Sequence, residues 1–150
     1  MDNRLDQLFQ EWHRLGGAVL LAEQQTTILN RRPEEVIAES TTYCRESGRL
    51  MWVVVDWLIH HIEEIDAQHL IQETLQSGNL SVLGVMCDVA HLRMNHPKFK
   101  QIMSMCRPNP QTEPFFHRVA RSQLATNLTK ENNLEVFRRW NYWCRELRYL

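Results

Sequence analysis

The chain's densest set of groups able to bind a metal or move a proton is His60-His61-Ile62-Glu63-Glu64-Ile65-Asp66-Ala67-Gln68-His69. If the helix leading into it runs through to Ile65, Asp56, His60 and Glu63 or Glu64 share one face, at i, i+4 and i+7 or i+8. Asp88 and His91 form a second set, with His96 beyond. Imidazole and carboxylate converging from adjacent helices is how helical bundles build metal sites. A metal-dependent helical enzyme would use His60, His61, Glu64, His69 and His91. The spacings of established sites are missing, however: there is no His-Glu-x-x-His and no paired Glu-x-x-His. Histidine at a helix C-terminus also meets the dipole favourably without any ligand. That is the preferred expectation, with no metal and no cofactor.

Asp56 is the odd residue of an apolar run, between Val53-Val54-Val55 and Trp57-Leu58-Ile59. A buried carboxylate needs a partner, and Arg45, Arg49 and His60 are the candidates. A pair that fixes helix register is expected rather than a catalytic acid. Nothing marks a nucleophile: there is no G-x-S-x-G, no glycine-rich phosphate loop, and no cysteine beside a histidine in a basic setting. No catalytic residue is assigned.

The C-terminal half carries the better binding candidates. Lys98, Lys100, Arg107, Arg118, Arg121, Arg138, Arg139, Arg145 and Arg148 fall on successive predicted helices, and arginine dominates the set. Guanidinium suits bidentate recognition of carboxylate or phosphate and stacks on aromatic rings. Tyr142 and Tyr149 lie near these arginines, off the apolar face. The residues expected to meet a partner protein or nucleic acid are therefore Arg118, Arg121, Arg138, Arg139, Tyr142, Arg145 and Arg148.

These residues sit in a polarised chain. Residues 1–75 hold 6 Lys+Arg against 13 Asp+Glu, whereas residues 76–150 hold 11 against 5. Such polarity can steer a partner, or pair one copy with another as a homodimer. The apolar share of 43% and charged share of 23% are those of an ordinary globular protein. The 150 residues are expected to form one domain. Cys44, Cys87, Cys106 and Cys144 are widely spaced and form no C-x-x-C, which reads as reduced thiols in a reducing, cytoplasmic compartment. Asp2, Arg4, Asp6 and Glu11 interrupt the N-terminal stretch, so no secretory leader is expected, and no apolar run is long enough to span a membrane.

Helical periodicity dominates. Leu5, Leu8, Phe9, Trp12 and Leu15 define one face, with Asp6, Gln7, Gln10 and Glu11 outside it. Pro33-Glu34-Glu35 starts a helix running to about Glu46, which Gly48 caps. A strongly apolar helix follows from about Arg49 to Ile65. Asp66 caps a short helix to Gln76, Gly78 ends it, and Asn79 opens the next, to about Met94. His96-Pro97 starts a helix ending before Pro108, and Arg107–Pro114 is a loop. Two further helices are predicted, from about Pro114 to Asn127 and from about Asn132. The last presents Phe137, Trp140, Trp143, Cys144, Leu147 and Leu150 on one face. No confident strand is found. The expected fold is all-α, a compact right-handed stack or bundle of about seven to nine helices.

One pattern orders these helices. Ser47, Gly48, Leu50, Val55 and His61 recur 30 residues later as Ser77, Gly78, Leu80, Val85 and His91. A fixed-period echo is the mark of stacked helical pairs. Across Glu34–His61 and Glu64–His91 the chain resembles HEAT- and armadillo-type helical repeats, with helical hairpins in its N-terminal two-thirds. That resemblance implies a protein- or nucleic-acid-binding surface and no catalysis. The first expectation is thus a non-catalytic helical interaction protein, an adaptor or antitoxin-like neutralising subunit. A nucleic-acid-binding regulator using the same arginines comes second, and the metal-dependent enzyme third.

Overall fold

The computed structural model describes residues 3–19, 31–116 and 135–143. Those residues form seven α-helices and one very short strand pair, an all-α architecture. The helices are α1 (Asn3–Arg14), α2 (Pro33–Ser40), α3 (Gly48–His61), α4 (Ala67–Ser77), α5 (Leu80–Arg93), α6 (Pro97–Ser104) and α7 (Glu135–Arg139). A 3-10 turn at Ile62–Glu64 follows α3. The strands are β1 (Glu113–Pro114) and β2 (Tyr142–Trp143).

Local chemistry explains most helix starts. Pro33 stands in the first turn of α2, followed by Glu34 and Glu35. Ser47 accepts from the Leu50 amide, Asp66 from the His69 amide, and Asn79 from the Ser81 and Val82 amides. His96 Nδ1 accepts from the Lys98 amide, and Pro97 opens α6. Each of these satisfies a donor that a helix leaves unpaired at its N-terminus.

Helix ends depart further from the periodic reading. The predicted helix to Glu46 stops at Ser40. The Thr41 and Thr42 hydroxyls donate to the carbonyls of Ala38 and Glu39, and tight turns replace the helix through Glu46. Gly48 is the first residue of α3 rather than a cap on α2. The chain leaves α-helical geometry at Ile62 instead of continuing to Ile65. The predicted last helix breaks after Arg139. Asn141 adopts a left-handed conformation (φ 62°), tolerated by its short polar side chain, and its amide donates to the Asn109 carbonyl at 2.6 Å. The chain then runs parallel to β1, pairing Glu113 with Tyr142 and Pro114 with Trp143. This strand pair takes up Pro114, predicted to start a helix. Phe115 and Phe116 are likewise not helical; that predicted helix beyond Phe116, and the final one beyond Trp143, lie outside the described residues.

The helices pack as two stacked hairpins. α2 lies against α4 and α3 against α5, while α6 packs on α5 and α4, α1 on α2 and α3, and α7 on α5. Gly78 makes the first contact possible: a Cβ there would stand 2.5 Å from the Ala38 carbonyl oxygen and 2.6 Å from Thr41 Oγ1. In its place Thr41 Oγ1 accepts from the Asn79 amide at 2.8 Å, tying the end of α2 to the start of α5.

α3 contributes Leu50, Met51, Val53, Val54, Val55, Trp57 and Leu58 to the core. α5 is buried at every position from Ser81 to Ala90. Three of the echo-equivalent core sites at which it differs from α3 are decisive: Ser81 stands where α3 has Met51, Gly84 where it has Val54, and Asp88 where it has Leu58. These small or polar sites receive the C-terminal segment. The Trp140 ring lies over Gly84, where an added Cβ would approach its carbons to 2.5 Å. Gly84→Ala should therefore lower stability by about 1–3 kcal/mol through overpacking, with partial recovery in a Trp140→Leu background. Urea unfolding midpoints measure this; an unchanged midpoint for Gly84→Ala would refute the slot.

Candidate functional site

The histidines and acids predicted as possible metal ligands take separate partners. His60 is exposed, and its Nδ1 lies 2.8 Å from the Asp56 carbonyl oxygen and 3.7 Å from Asp56 Oδ1. His61 stacks on Trp57, with 4.5 Å between ring centroids, and its Nδ1 lies 2.5 Å from Glu64 Oε2. The 3-10 turn changes the helical phase at this point, so Glu63 and Glu64 leave the face shared by Asp56 and His60. Glu63 is 86% exposed. His69 sits between Glu73, 3.3 Å from its Nε2, and Glu34, 3.7 Å from its Nδ1. Since those carboxylates approach opposite nitrogens of one ring, they do not converge on a shared ligand position. His91 lies on another helix pair, edge-on to Phe99. Among the described residues, no three His, Cys, Asp or Glu side chains gather in a metal-holding arrangement.

Glu34 has a structural role that the sequence did not reveal. Its Oε2 accepts from the Asp66 amide at 2.9 Å, so an acid of α2 helps to cap α4. Asp56 is only partly buried, with His60 as its neighbour. Arg49 lies instead over the Phe9 ring. Cys44, Cys87 and Cys106 are free thiols. Burial pushes all three up, Cys106 to about 12, which suppresses the reactive thiolate. Cys144 lies outside the described residues.

The best-built polar constellation is on α5. Asp88, 5% exposed, accepts two hydrogen bonds from Arg139, each 2.9 Å, and a third from Trp140 Nε1 at 3.0 Å. The hydrogen bonds from Arg139 to Asp88 raise the guanidinium's affinity for its proton. Two turns earlier, Ser81 Oγ and Tyr142 Oη lie 2.5 Å apart. Tyr142 is fully buried, and burial pushes its hydroxyl up. This corrects its placement off the apolar face, and its ring is not available to a partner. Arg45, considered above for Asp56, holds this segment from the other side. It donates to the carbonyls of Phe115 (2.8 Å) and Pro114 (2.7 Å), pairs with Glu113 at 2.8 Å, and lies over the Tyr142 ring. The sequence signal for this constellation was the break in the echo at Ser81, Gly84 and Asp88.

A second network joins α1 to α2. Arg31 forms a fork on Glu11, at 2.8 and 2.7 Å, and reaches Glu39 at 2.8 Å. Arg4 forms a second fork on Glu39. Glu11 is therefore buried, as is Gln10, although both were placed outside the apolar face. Burial alone would raise the Glu39 carboxyl, but hydrogen bonds from Arg4 and Arg31 outweigh it and hold the group below its ordinary value of 4.5.

The cations divide between the halves. In residues 1–75, Arg4 and Arg31 belong to that network, and Arg14 donates to the Arg31 carbonyl. Arg32 lies 3.8 Å from Glu34, Arg45 holds residues 113–115, and Arg49 covers Phe9. Farther along, Lys98 donates to the carbonyls of Glu63 and Ile65, and Arg139 to Asp88. By contrast Arg93, Lys100, Arg107 and Arg138 are exposed and form no ion pair among the described residues. Arg118, Arg121, Arg145, Arg148 and Tyr149 lie outside the described residues. No described helix is long and apolar enough to cross a membrane. Comparison with protein-family models, curated proteins and solved structures finds no match.

Two measurements follow from these networks. Asp88→Ala strands the Trp140 N–H and the Arg139 fork and should lower stability by about 2 kcal/mol. In a double-mutant cycle with Arg139→Ala, the coupling should be about 1 kcal/mol or more; zero coupling would mean that the fork is energetically idle. For Glu39 the depressed folded value fixes the sign. Its contribution is complete above pH 4.5 and is lost as pH falls through the folded value. Glu39→Gln should thus be less stable than wild type near neutrality, by about 1–2 kcal/mol, with the gap closing in acid. A gap constant across pH would assign the effect to packing.

Proposed function

We propose that this chain is a non-catalytic helical interaction protein that binds a partner protein through its C-terminal basic region, as an adaptor or a neutralising subunit of the antitoxin type. One observation carries the reading: the unequal use of cations. Arginines of the N-terminal half are engaged inside the molecule, while Arg93, Lys100, Arg107 and Arg138 are exposed and form no ion pair among the described residues. Unpaired guanidinium groups on a helical surface suit recognition of carboxylates.

The same cations favour a second reading, a nucleic-acid-binding regulator, since phosphate is also a bidentate acceptor. Salt separates the two, because phosphate binding releases counterions and weakens steeply as salt rises. Affinity capture with the tagged protein, at low and at moderate salt, tests both. The expected result is a stoichiometric protein partner retained at moderate salt. Nucleic acid recovered only at low salt would replace the partner-protein reading with the regulator, and an empty eluate at both salts would overturn both readings.

A further inference from the structure

We infer that His69 is a proton-operated latch between α2 and α4, closed when its imidazolium joins buried Glu34 to Glu73 and loosened when the ring is neutral. Two buried polar atoms face each other here without a hydrogen bond. Glu34 is 1% exposed. Its Oε2 accepts from the Asp66 amide at 2.9 Å, which holds the carboxylate at the start of α4. Its Oε1 has no hydrogen-bond partner, and neither has His69 Nδ1, 3.7 Å away. The opposite ring nitrogen, Nε2, lies 3.3 Å from Glu73 Oε1, one turn on along α4. The His69 side chain keeps 22% exposure, so protons reach it from solvent.

Ring chemistry gives the arrangement two states. Neutral imidazole carries one N–H, so one of its nitrogens always turns a lone pair toward a carboxylate. The imidazolium carries two N–H groups, and each has an acid before it. A shift of about 0.5 Å brings the Glu34 contact into hydrogen-bond range. The helix dipole opposes a cation in the first turn of α4, but it amounts to about half a charge. Two carboxylates at the ring, and Asp66 capping the same terminus, outweigh it. Arg32, the other cation near Glu34, is 63% exposed and approaches Oε1 only to 3.8 Å. Elsewhere on α2, Glu39 is held by Arg4 and Arg31. Glu35 forms no ion pair among the described residues. α5 and α6 also pack on α4, yet their charges turn away. Lys98 donates to the Glu63 and Ile65 carbonyls, His96 lies against Glu63, and Asp88 accepts from Arg139. Among the described residues, His91, Arg93 and Lys100 pair with none of Glu34, His69 and Glu73. Both imidazolium contacts exist only in the folded chain. Their stabilisation is therefore present below histidine's ordinary titration range and lost as pH rises through it.

Urea unfolding at about pH 8 and about pH 5.5 tests the latch, since the lower value lies below the ordinary imidazole range and above that of carboxylates. The folding equilibrium constant of wild type, divided by that of His69→Gln, should rise about tenfold at the lower pH. In a Glu34→Gln background, where the amide oxygen can still accept from Asp66, the same comparison should lose most of that rise. An Arg32→Gln background should keep it. Protection of the Asp66 amide against hydrogen exchange, corrected for its intrinsic rate, should increase in acid for wild type and not for His69→Gln. Parallel pH profiles of wild type and His69→Gln would overturn the inference. So would a rise that survives Glu34→Gln or vanishes with Arg32→Gln. If His69→Gln does not fold, wild type against Glu34→Gln provides the same comparison: a gap that widens in acid supports the latch, and a constant gap overturns it.

Discussion

A carboxylate placed within the buried stretch Ser81–Ala90 of α5 sets the terms for the C-terminal part of this fold. Asp88 is surrounded by the apolar residues of α5, and a buried charge of that kind requires both a counter-charge and hydrogen bonds. Arg139 and Trp140 supply them. Satisfying Asp88 puts α7 on α5, puts the Trp140 ring on Gly84, and carries Tyr142 to Ser81. Arg45 then closes the arrangement from the turn before α3, binding the carbonyls beside β1 and covering Tyr142. The small strand pair is a consequence of this docking, since two residues per strand contribute little by themselves.

The acidic N-terminal half uses charge differently. Glu11 and Glu39 are neutralised by Arg4 and Arg31 in a network joining α1 to α2, and Glu34 crosses from α2 to the start of α4. Forked arginine–carboxylate pairs fix orientation as well as attraction. These contacts use up local arginines and leave the half with a surplus of acid. Farther along the chain acids are scarce, so Arg93 and Arg138 stay exposed. The polarity counted in the sequence is therefore partly internal structure and partly surface, and only the surface part can act on a partner.

The histidines show how one change of backbone geometry redirects a constellation. A continuous helix from Gly48 to Ile65 would have set Asp56, His60 and Glu64 along one face. The 3-10 turn at Ile62–Glu64 has a different angular step, so Glu64 meets His61 instead. His69 lies on the next helix, facing Glu34 and Glu73.

From the sequence alone came the helix starts at Pro33, Asp66, Asn79 and Pro97, the all-α class, and the pairing of hairpins behind the 30-residue echo. Capping depends on residues within three positions of one another, and amphipathic faces depend on a short period, so both are written locally. The tertiary structure alone decided that Glu11 and Tyr142 are buried, that the helix opening at Glu135 stops at Arg139, ahead of left-handed Asn141, and that Asp88 is the anchor of the C-terminal segment. These outcomes depend on partners 20 to 61 residues away in the chain. Periodicity assigns a residue to a face of its own helix; burial of a charged or polar side chain depends on whether a distant group arrives to satisfy it.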